Sequence, residues 1–286
     1  YYCACNKKVT QNTPLAELYL EFLDKEIEMQ GKLFDSDRQV IQLHFGGGTP
    51  TYYNDMQLRH IVEKLSANFL LSRSASREFS IEIDPRTVDE GRLAHLAEIG
   101  FNRVSMGIQD FDPAVQKAVN RIQDEGKTLR LIEAARETAS PTILRAWSPL
   151  ASPISDPASR TARVWKRRAA SALTWASRRR AARESGFNSV SVDLIYGLPL
   201  QTAKSFEKTI DSVLTARPDR LSVYNYAHLP HLFRAQRMIN TEEVPAPEVR
   251  LQLLASTIAK LTGAGYVYIG MDHFALPDDE LALAME

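Results

Sequence analysis

Two cysteines, Cys3 and Cys5, stand one residue apart in YYCACNKK and are the only thiols among 286 residues. A C-x-C pair closes too small a ring for an ordinary disulfide, and two thiolates are too few for a structural zinc or iron–sulfur site. The pair is either incidental or the end of a larger ligand set. A second chemistry-bearing stretch is HFGGGTPTYY, in which Gly46, Gly47 and Gly48 precede Thr49. Successive glycines let the backbone approach a ligand and present N–H and C=O groups without obstruction, although a plain strand-to-helix turn reads the same way. The run lacks the P-loop lysine, which argues against a triphosphate. Glu82 in SIEIDP and Gln109 in MGIQDF would together suit ribose hydroxyls, while a lone carboxylate at a strand end equally serves as a helix cap. Asp193 in VDLIYG puts a charge inside an apolar run, a costly placement unless paired, and a functional role is the expected reason.

The composition is that of an ordinary globular protein, with 44% hydrophobic residues and 35 basic against 35 acidic ones. The length allows one large core or two smaller ones. No apolar run approaches the roughly 18 residues of a membrane helix, and no signal peptide precedes the cysteines. The expectation is a cytoplasmic protein with reduced thiols and no membrane partner.

Overall neutrality hides a local excess. Residues 138–184 hold nine Arg and one Lys against Asp156 and Glu184, a net +8 that the rest of the chain balances, together with all three tryptophans, Trp147, Trp165 and Trp175. AARE at 134–137 returns at 181–184, and joining the flanks runs TLRLIEAARE directly into SGFNSVSVDLIYGLP, a helix, glycine stop and strand. The segment is therefore read as an irregular basic insertion. Guanidinium groups with aromatic faces also suit nucleic acid. Ser, Ala, Pro and Arg dominate with no steady helical period, however, which favours a low-complexity intrusion without a nucleic-acid partner.

The elements that must position the candidate groups alternate. Outside the insertion, β-branched or apolar runs fall at 39–45, 79–85, 103–111, 189–197, 220–226 and 266–274, with helical patterns such as DMQLRHIVEKLSANF and AKSFEKTIDSVLTARP between them. This rhythm predicts parallel βα units. Six strands suit a partial (β/α)6-type barrel of the α/β class better than a small open sheet, though a doubly wound sheet shares the rhythm. The expected organisation is an N-terminal part of the barrel at 1–137, the insertion at 138–184 and a C-terminal part at 185–286. Barrel sites are built at the carboxyl ends of strands, where the glycine run, Glu82, Gln109 and Asp193 fall.

The blocks CACNK, HFGGGTPTYY, SIEIDPR, FNRVSMGIQDF, VNRIQDE, VDLIYGLPLQT, DRLSVYNYAHLP and YIGMDHFALPDDELA occur in this order. Together they closely resemble the oxygen-independent coproporphyrinogen III oxidase family, a group of radical S-adenosylmethionine (SAM) enzymes of haem synthesis. The resemblance covers nearly the whole chain outside 138–184. It implies a [4Fe-4S] cluster held by the first three cysteines of a C-x3-C-x2-C-x-C motif, with Cys3 as the third motif cysteine and a metal ligand, and Cys5 as the fourth, which does not ligate the cluster. The second motif cysteine would fall directly before Tyr1. The resemblance also places Tyr2 beside the cluster and SAM, sets Gly47, Gly48 and Thr49 against the amino-acid part of SAM, and lines the rest of the cofactor site with Glu82, Gln109, Arg121, Asp193 and Ala227.

The implied reaction begins when an electron from the cluster splits SAM to methionine and a 5′-deoxyadenosyl radical, which takes hydrogen from the β-carbon of a propionate. Loss of CO2 and of one electron to an acceptor leaves a vinyl group, and two rounds convert coproporphyrinogen III to protoporphyrinogen IX. The implied partners are the porphyrinogen and an electron donor protein, with the protein itself a monomer. A haem chaperone that binds haem without oxidising the porphyrinogen, and a phosphate-binding barrel built on GGGTP, are the alternative readings. The sequence departs from the pattern at Leu276, where arginine is expected, and the family continues past DDELA into a helical C-terminal domain. On the resemblance the chain is cut at both ends and keeps one of three cluster ligands. By itself it is expected neither to hold a stable cluster nor to release 5′-deoxyadenosine from SAM.

Overall fold

The computed structural model describes residues 1–3, 13–137 and 187–285. The expectations for Cys5 and for the insertion at 138–184 lie outside the described residues. Helix α1 (Thr13–Gly31) leads into β1 (Gln39–Val40), β2 (Gln42–Phe45), α2 (Asp55–Asn68), β3 (Leu70–Leu71), β4 (Glu78–Ile83), α3 (Glu90–Glu98), β5 (Arg103–Gln109), α4 (Pro113–Ala118) and α5 (Glu125–Glu137). Then come β6 (Ser189–Tyr196), α6 (Ala203–Ala216), β7 (Arg220–Asn225), α7 (Pro247–Gly263), β8 (Val267–Gly270), β9 (His273–Ala275) and α8 (Glu280–Leu283). Among the described residues no helix is long and apolar enough to cross a membrane.

Local chemistry sets these boundaries. Asn54 caps α2 by accepting from the Gln57 amide at 2.9 Å, and the Gln57 side chain accepts from the Asn54 amide in return, which satisfies two otherwise orphan donors. Helix α6 starts from the same device at Thr202 and Ser205 and stops where Arg217 turns left-handed. Its buried Phe206, Ile210 and Val213 repeat at helical spacing and face the sheet.

Strands β2, β4, β5, β6 and β7 pair in chain order, all in parallel. With helices returning the chain between them, this is a partial barrel, as the βα rhythm predicts. Two runs depart from expectation. The first, 39–45, breaks at Ile41, and β1 pairs with β3 in a separate two-stranded piece. The last, 266–274, is a hairpin and not a sixth parallel strand. Gly270, Met271 and Asp272 have φ of 95°, 47° and 69°, and this left-handed turn reverses the chain so that β9 lies antiparallel on β7.

Strand alternation sorts the sheet into two faces. Ile81, Met106, Val192, Leu194 and Val223 share one buried core with Leu58 of α2, Leu93 of α3, Ile132 of α5, Phe206 of α6 and Leu253 of α7. The intervening Ser80, Glu82, Ser105, Gly107, Ser191, Asp193 and Ser222 form the opposite, polar face. At the amino ends of the strands, ion pairs close this face. Arg103 lies 2.9 Å from Glu78 and 2.6 Å from Glu280, and Arg220 lies 2.9 Å from Asp279, which fastens α8 across that edge.

Ile81 has no exposed surface, whereas Met56 is 82% exposed. Ile81→Ala is expected to cost about 2–5 kcal/mol and Met56→Ala less than about 0.5 kcal/mol. Urea midpoints at unchanged slope check this, and equal shifts for the two variants would contradict the assignment of faces.

Candidate active site

The glycine run begins where β2 ends. Gly47 has φ of +103°, a conformation natural to glycine, and its amide donates to Glu82 Oε2 at 3.2 Å. The Thr49 hydroxyl donates to the Gly48 carbonyl at 2.6 Å, and a short 3-10 turn, Pro50–Tyr52, follows. The run is thus folded against the adjacent strand through Glu82, whose other oxygen lies 3.4 Å from His44 Nε2.

Asp193 sits two strands away on the same polar face. The Ser105 hydroxyl donates to its Oδ2 at 2.9 Å, and Ser222, its register partner on β7, also hydrogen-bonds to it. Burial pushes the carboxyl up to about 6, the hydroxyl bonds and His273 opposing and the nearby Glu82 adding to the rise.

A third group gathers around Arg121, which sequence alone does not distinguish from an exposed helix charge. It lies beyond the end of α4 with its side chain 13% exposed, Nη2 donating to the Gly107 carbonyl at 2.8 Å and Nη1 reaching Asp84 Oδ2 at 3.3 Å. Arg86 forks onto the same Asp84 carboxylate. Burial works against that charge, yet the Arg86 hydrogen bonds and the Arg121 guanidinium hold Asp84 below its ordinary value. Gln109 ends β5 at φ of +70°, beside a register shift between Gly107 and Gln109, and its amide converges with Arg121 Nη2 over Gly107. A non-glycine residue in this conformation marks local strain of the kind found at ligand sites.

Tyr2 is half-buried against Val115, Val119, Leu198, Tyr226 and Ile239. Burial raises its phenol, with Arg121 opposing and the neighbouring Cys3 and Asp84 adding to the rise. Gln236 Nε2 donates to both the Tyr2 and Ala227 carbonyls at 3.0 Å, tying the start of the chain to the loop after β7. Asp110, the residue after β5, anchors this edge from behind: its buried carboxyl accepts from Thr209 at 2.5 Å, Gln201 at 2.6 Å and the Asp112 amide at 2.8 Å.

The structure therefore brings Gly47, Gly48, Thr49, Glu82, Gln109, Arg121, Asp193, Ala227, Tyr2 and Cys3 to one edge of the sheet. Asp84 of the SIEIDP run joins them, as do Arg86, Ser105, Ser222, Gln236 and His44, which were not singled out in the sequence. Ser105 and Ser222 share strand parity with Glu82 and Asp193 and were findable on that basis, whereas nothing local marks Gln236. Among the described residues no three His, Cys, Asp or Glu side chains converge as a metal site; the described part of the site offers one thiol, Cys3.

The sequence profile of the Radical SAM superfamily matches residues 1–146. An oxygen-independent coproporphyrinogen III oxidase of Pseudomonas aeruginosa is 43% identical over 286 residues, which take in 100% of this chain and 52% of that protein. Its counterpart in Escherichia coli K12 is 43% identical over 284 residues, 99% of this chain and 51% of that one. The solved structure of the Escherichia coli coproporphyrinogen III oxidase, described as a radical SAM enzyme, matches with a TM-score of 0.80 at 43% identity, covering 99% of this chain and 54% of that one. The chain spans about half the length of the curated relatives it matches.

The raised Asp193 carboxyl sets a sign for stability against pH. The folded chain keeps this proton to about 6, while the unfolded chain releases it near 3.9. The contribution is full below the unfolded value and is lost as pH rises through the folded one. Asp193→Asn is therefore expected to be more stable than the parent by about 1–3 kcal/mol at pH 7.5, with the gain shrinking toward pH 4 in urea titrations. A difference that does not vary with pH would contradict it.

Proposed function

The chain belongs to the radical SAM superfamily, and from that premise we propose that it forms the SAM- and cluster-binding barrel of an oxygen-independent coproporphyrinogen III oxidase. The observation that carries this is the character of the carboxyl-terminal edge: Glu82, Asp84 and Asp193, with Ser105 on the strand between them and Ser222 on the strand beyond Asp193, next to a glycine run and to Tyr2 and Cys3. SAM brings a sulfonium, an ammonium and hydroxyls to such a face, together with one carboxylate. An acidic surface rich in hydrogen-bond acceptors suits the first three, and backbone N–H groups suit the last. A phosphate-binding barrel is disfavoured by the same facts, because the Gly47 amide already donates to Glu82 and the two nearby guanidiniums are engaged with Asp84.

In this reading Gly47, Gly48 and Thr49 take the amino-acid end of SAM, while Glu82 accepts from a ribose hydroxyl. Asp193 receives further donors through its hydroxyl-bonded carboxyl. Arg121 and Gln109 close the site over Gly107, and the exposed Ala227 meets the nucleoside base. The half-buried ring of Tyr2 shields the edge from water beside Cys3, which would give one thiolate to the cluster. When bound, the cluster supplies single electrons and SAM the hydrogen-abstracting power that oxidative decarboxylation of a propionate requires.

The test is the native protein, purified anaerobically and supplied with reductant, SAM and coproporphyrinogen III. Release of 5′-deoxyadenosine together with conversion of propionate to vinyl groups is expected by mass spectrometry. Release of 5′-deoxyadenosine without vinyl product would remove this substrate, and haem retention without either product would favour a haem-binding role. Glu82→Ala is expected to weaken SAM binding about tenfold or more, and the exposed Glu63→Ala to leave it unchanged, in calorimetric titrations.

A further inference from the structure

We propose that His44 is a positioning residue for Glu82. Its imidazole holds one carboxylate oxygen while the Gly47 amide holds the other, so that Glu82 meets the ribose in one orientation. The role toward ribose rests on the SAM reading above; the clamp itself rests on geometry. His44 and Ser80 are register partners on β2 and β4, and His44 Nδ1 lies 2.7 Å from Ser80 Oγ. The Ser80 hydroxyl has two acceptors within reach, His44 Nδ1 at 2.7 Å and the Leu43 carbonyl at 3.4 Å; donation to the nearer one leaves the imidazole proton on Nε2, the atom 3.4 Å from Glu82 Oε1. From the far side the Gly47 amide reaches Oε2 at 3.2 Å. A backbone donor on one oxygen and a ring nitrogen 3.4 Å from the other thus flank one carboxylate. The Glu82 side chain is 44% exposed, so unheld it would sample several rotamers, each to be lost again when ligand binds.

Gly46 supplies an independent observation. A Cβ at this position would come within 2.5 Å of His44 Nε2 and 3.0 Å of Glu82 Oε1. Gly46 is not among the residues with positive φ, whereas Gly47 is, and a Cβ on Gly47 would meet nothing within 4 Å. The first two glycines of the run therefore serve different ends: Gly47 gives the backbone its turn, and Gly46 leaves room for the histidine–glutamate contact.

Substitutions that separate the two ring nitrogens test this in the native protein. Glutamine places an amide nitrogen near the Nε2 position and keeps a donor for Glu82, while asparagine reaches only as far as Nδ1 and keeps the Ser80 contact alone. His44→Asn is expected to weaken SAM binding about tenfold, His44→Gln by no more than about twofold. Added to Glu82→Gln, His44→Asn is expected to cost nothing further. Gly46→Ala, by pushing the ring aside, is expected to match His44→Asn and not to add to it.

A readout that needs no SAM is the Gly47 amide resonance in protein labelled at its thirteen glycines. His44→Asn and Glu82→Gln are expected to shift it, and His44→Gln to leave it in place. The proposal is overturned if Glu82→Gln moves that resonance and His44→Asn does not, or if the losses in SAM affinity simply add. It is equally overturned if both His44 variants lower the urea midpoint and the affinity alike, the signature of a structural role. If Glu82→Gln leaves SAM affinity unchanged, the SAM reading fails, and the Gly47 resonance alone decides whether His44 holds Glu82.

Discussion

Parallel pairing of β4, β5, β6 and β7 in one register is the constraint on which the rest depends. Glu82 lies opposite Ser105, Ser105 opposite Ser191, Gly107 opposite Asp193, and Asp193 opposite Ser222. Side chains alternate with a period of two, so a slip of one residue would send Glu82 and Asp193 under the helices and turn Ile81 and Leu194 toward the polar face. What resists the slip is burial. Ile81, Met106, Val192, Leu194 and Val223 have no exposed surface, and each such side chain contributes roughly 1.5–3 kcal/mol by leaving water. The apolar face thus holds the polar one in place, and the chemistry of the site is a consequence of how its reverse side packs.

Within the polar face, charge is divided. Asp84 is neutralised by Arg86 and Arg121 and stays ionised, whereas Asp193 has hydroxyl groups as its hydrogen-bond donors and a carboxyl pushed upward by burial. Glu82 lies on β4, two residues before Asp84, held by the Gly47 amide and close to His44. One edge of one sheet therefore offers a structural ion pair, an oriented carboxylate and a carboxyl of intermediate acidity. The opposite edge carries a different cluster, in which Arg103 and Arg220 bind Glu78, Asp279 and Glu280 and lock α8 to the strands. The separation of an amino-terminal edge sealed by ion pairs from a carboxyl-terminal edge that gathers the glycine run, Glu82 and Asp193 follows from strand direction.

Much of this was legible in the sequence, and the exceptions have physical causes. The five parallel strands were readable because each is a short β-branched or apolar run between helical patterns, and Glu82 and Asp193 stood out as charges inside such runs. The hairpin at 267–275 was not readable, since VYIG and HFA join through Met271 and Asp272 without the Asn-Gly or Asp-Gly pair that marks such turns, and Met271 seldom adopts the left-handed conformation it has here. Helix α1 left no clean stripe, because Leu18, Tyr19, Phe22 and Met29 are all exposed. Ser105 and Ser222 were concealed by their ordinariness, although strand parity marks them. Arg121 and Gln236 act through contacts with residues far away in sequence, Asp84 and Gly107 for one and Tyr2 for the other, which no local pattern encodes. His44 is of the same kind: its meaning comes from the strand beside it.

Backbone hydrogen exchange on the native protein under anaerobic conditions, with and without SAM, tests the central claim most directly. New protection is expected at the carboxyl-terminal edge alone, at Gly47 to Thr49, Gly107 to Gln109 and Tyr226 to Ala227, with the amino ends of β4, β5 and β7 around Glu78, Arg103 and Arg220 unchanged. Absence of protection at the glycine run, or protection centred on the Arg103 and Arg220 edge, would contradict a SAM site built on the carboxyl ends of these strands.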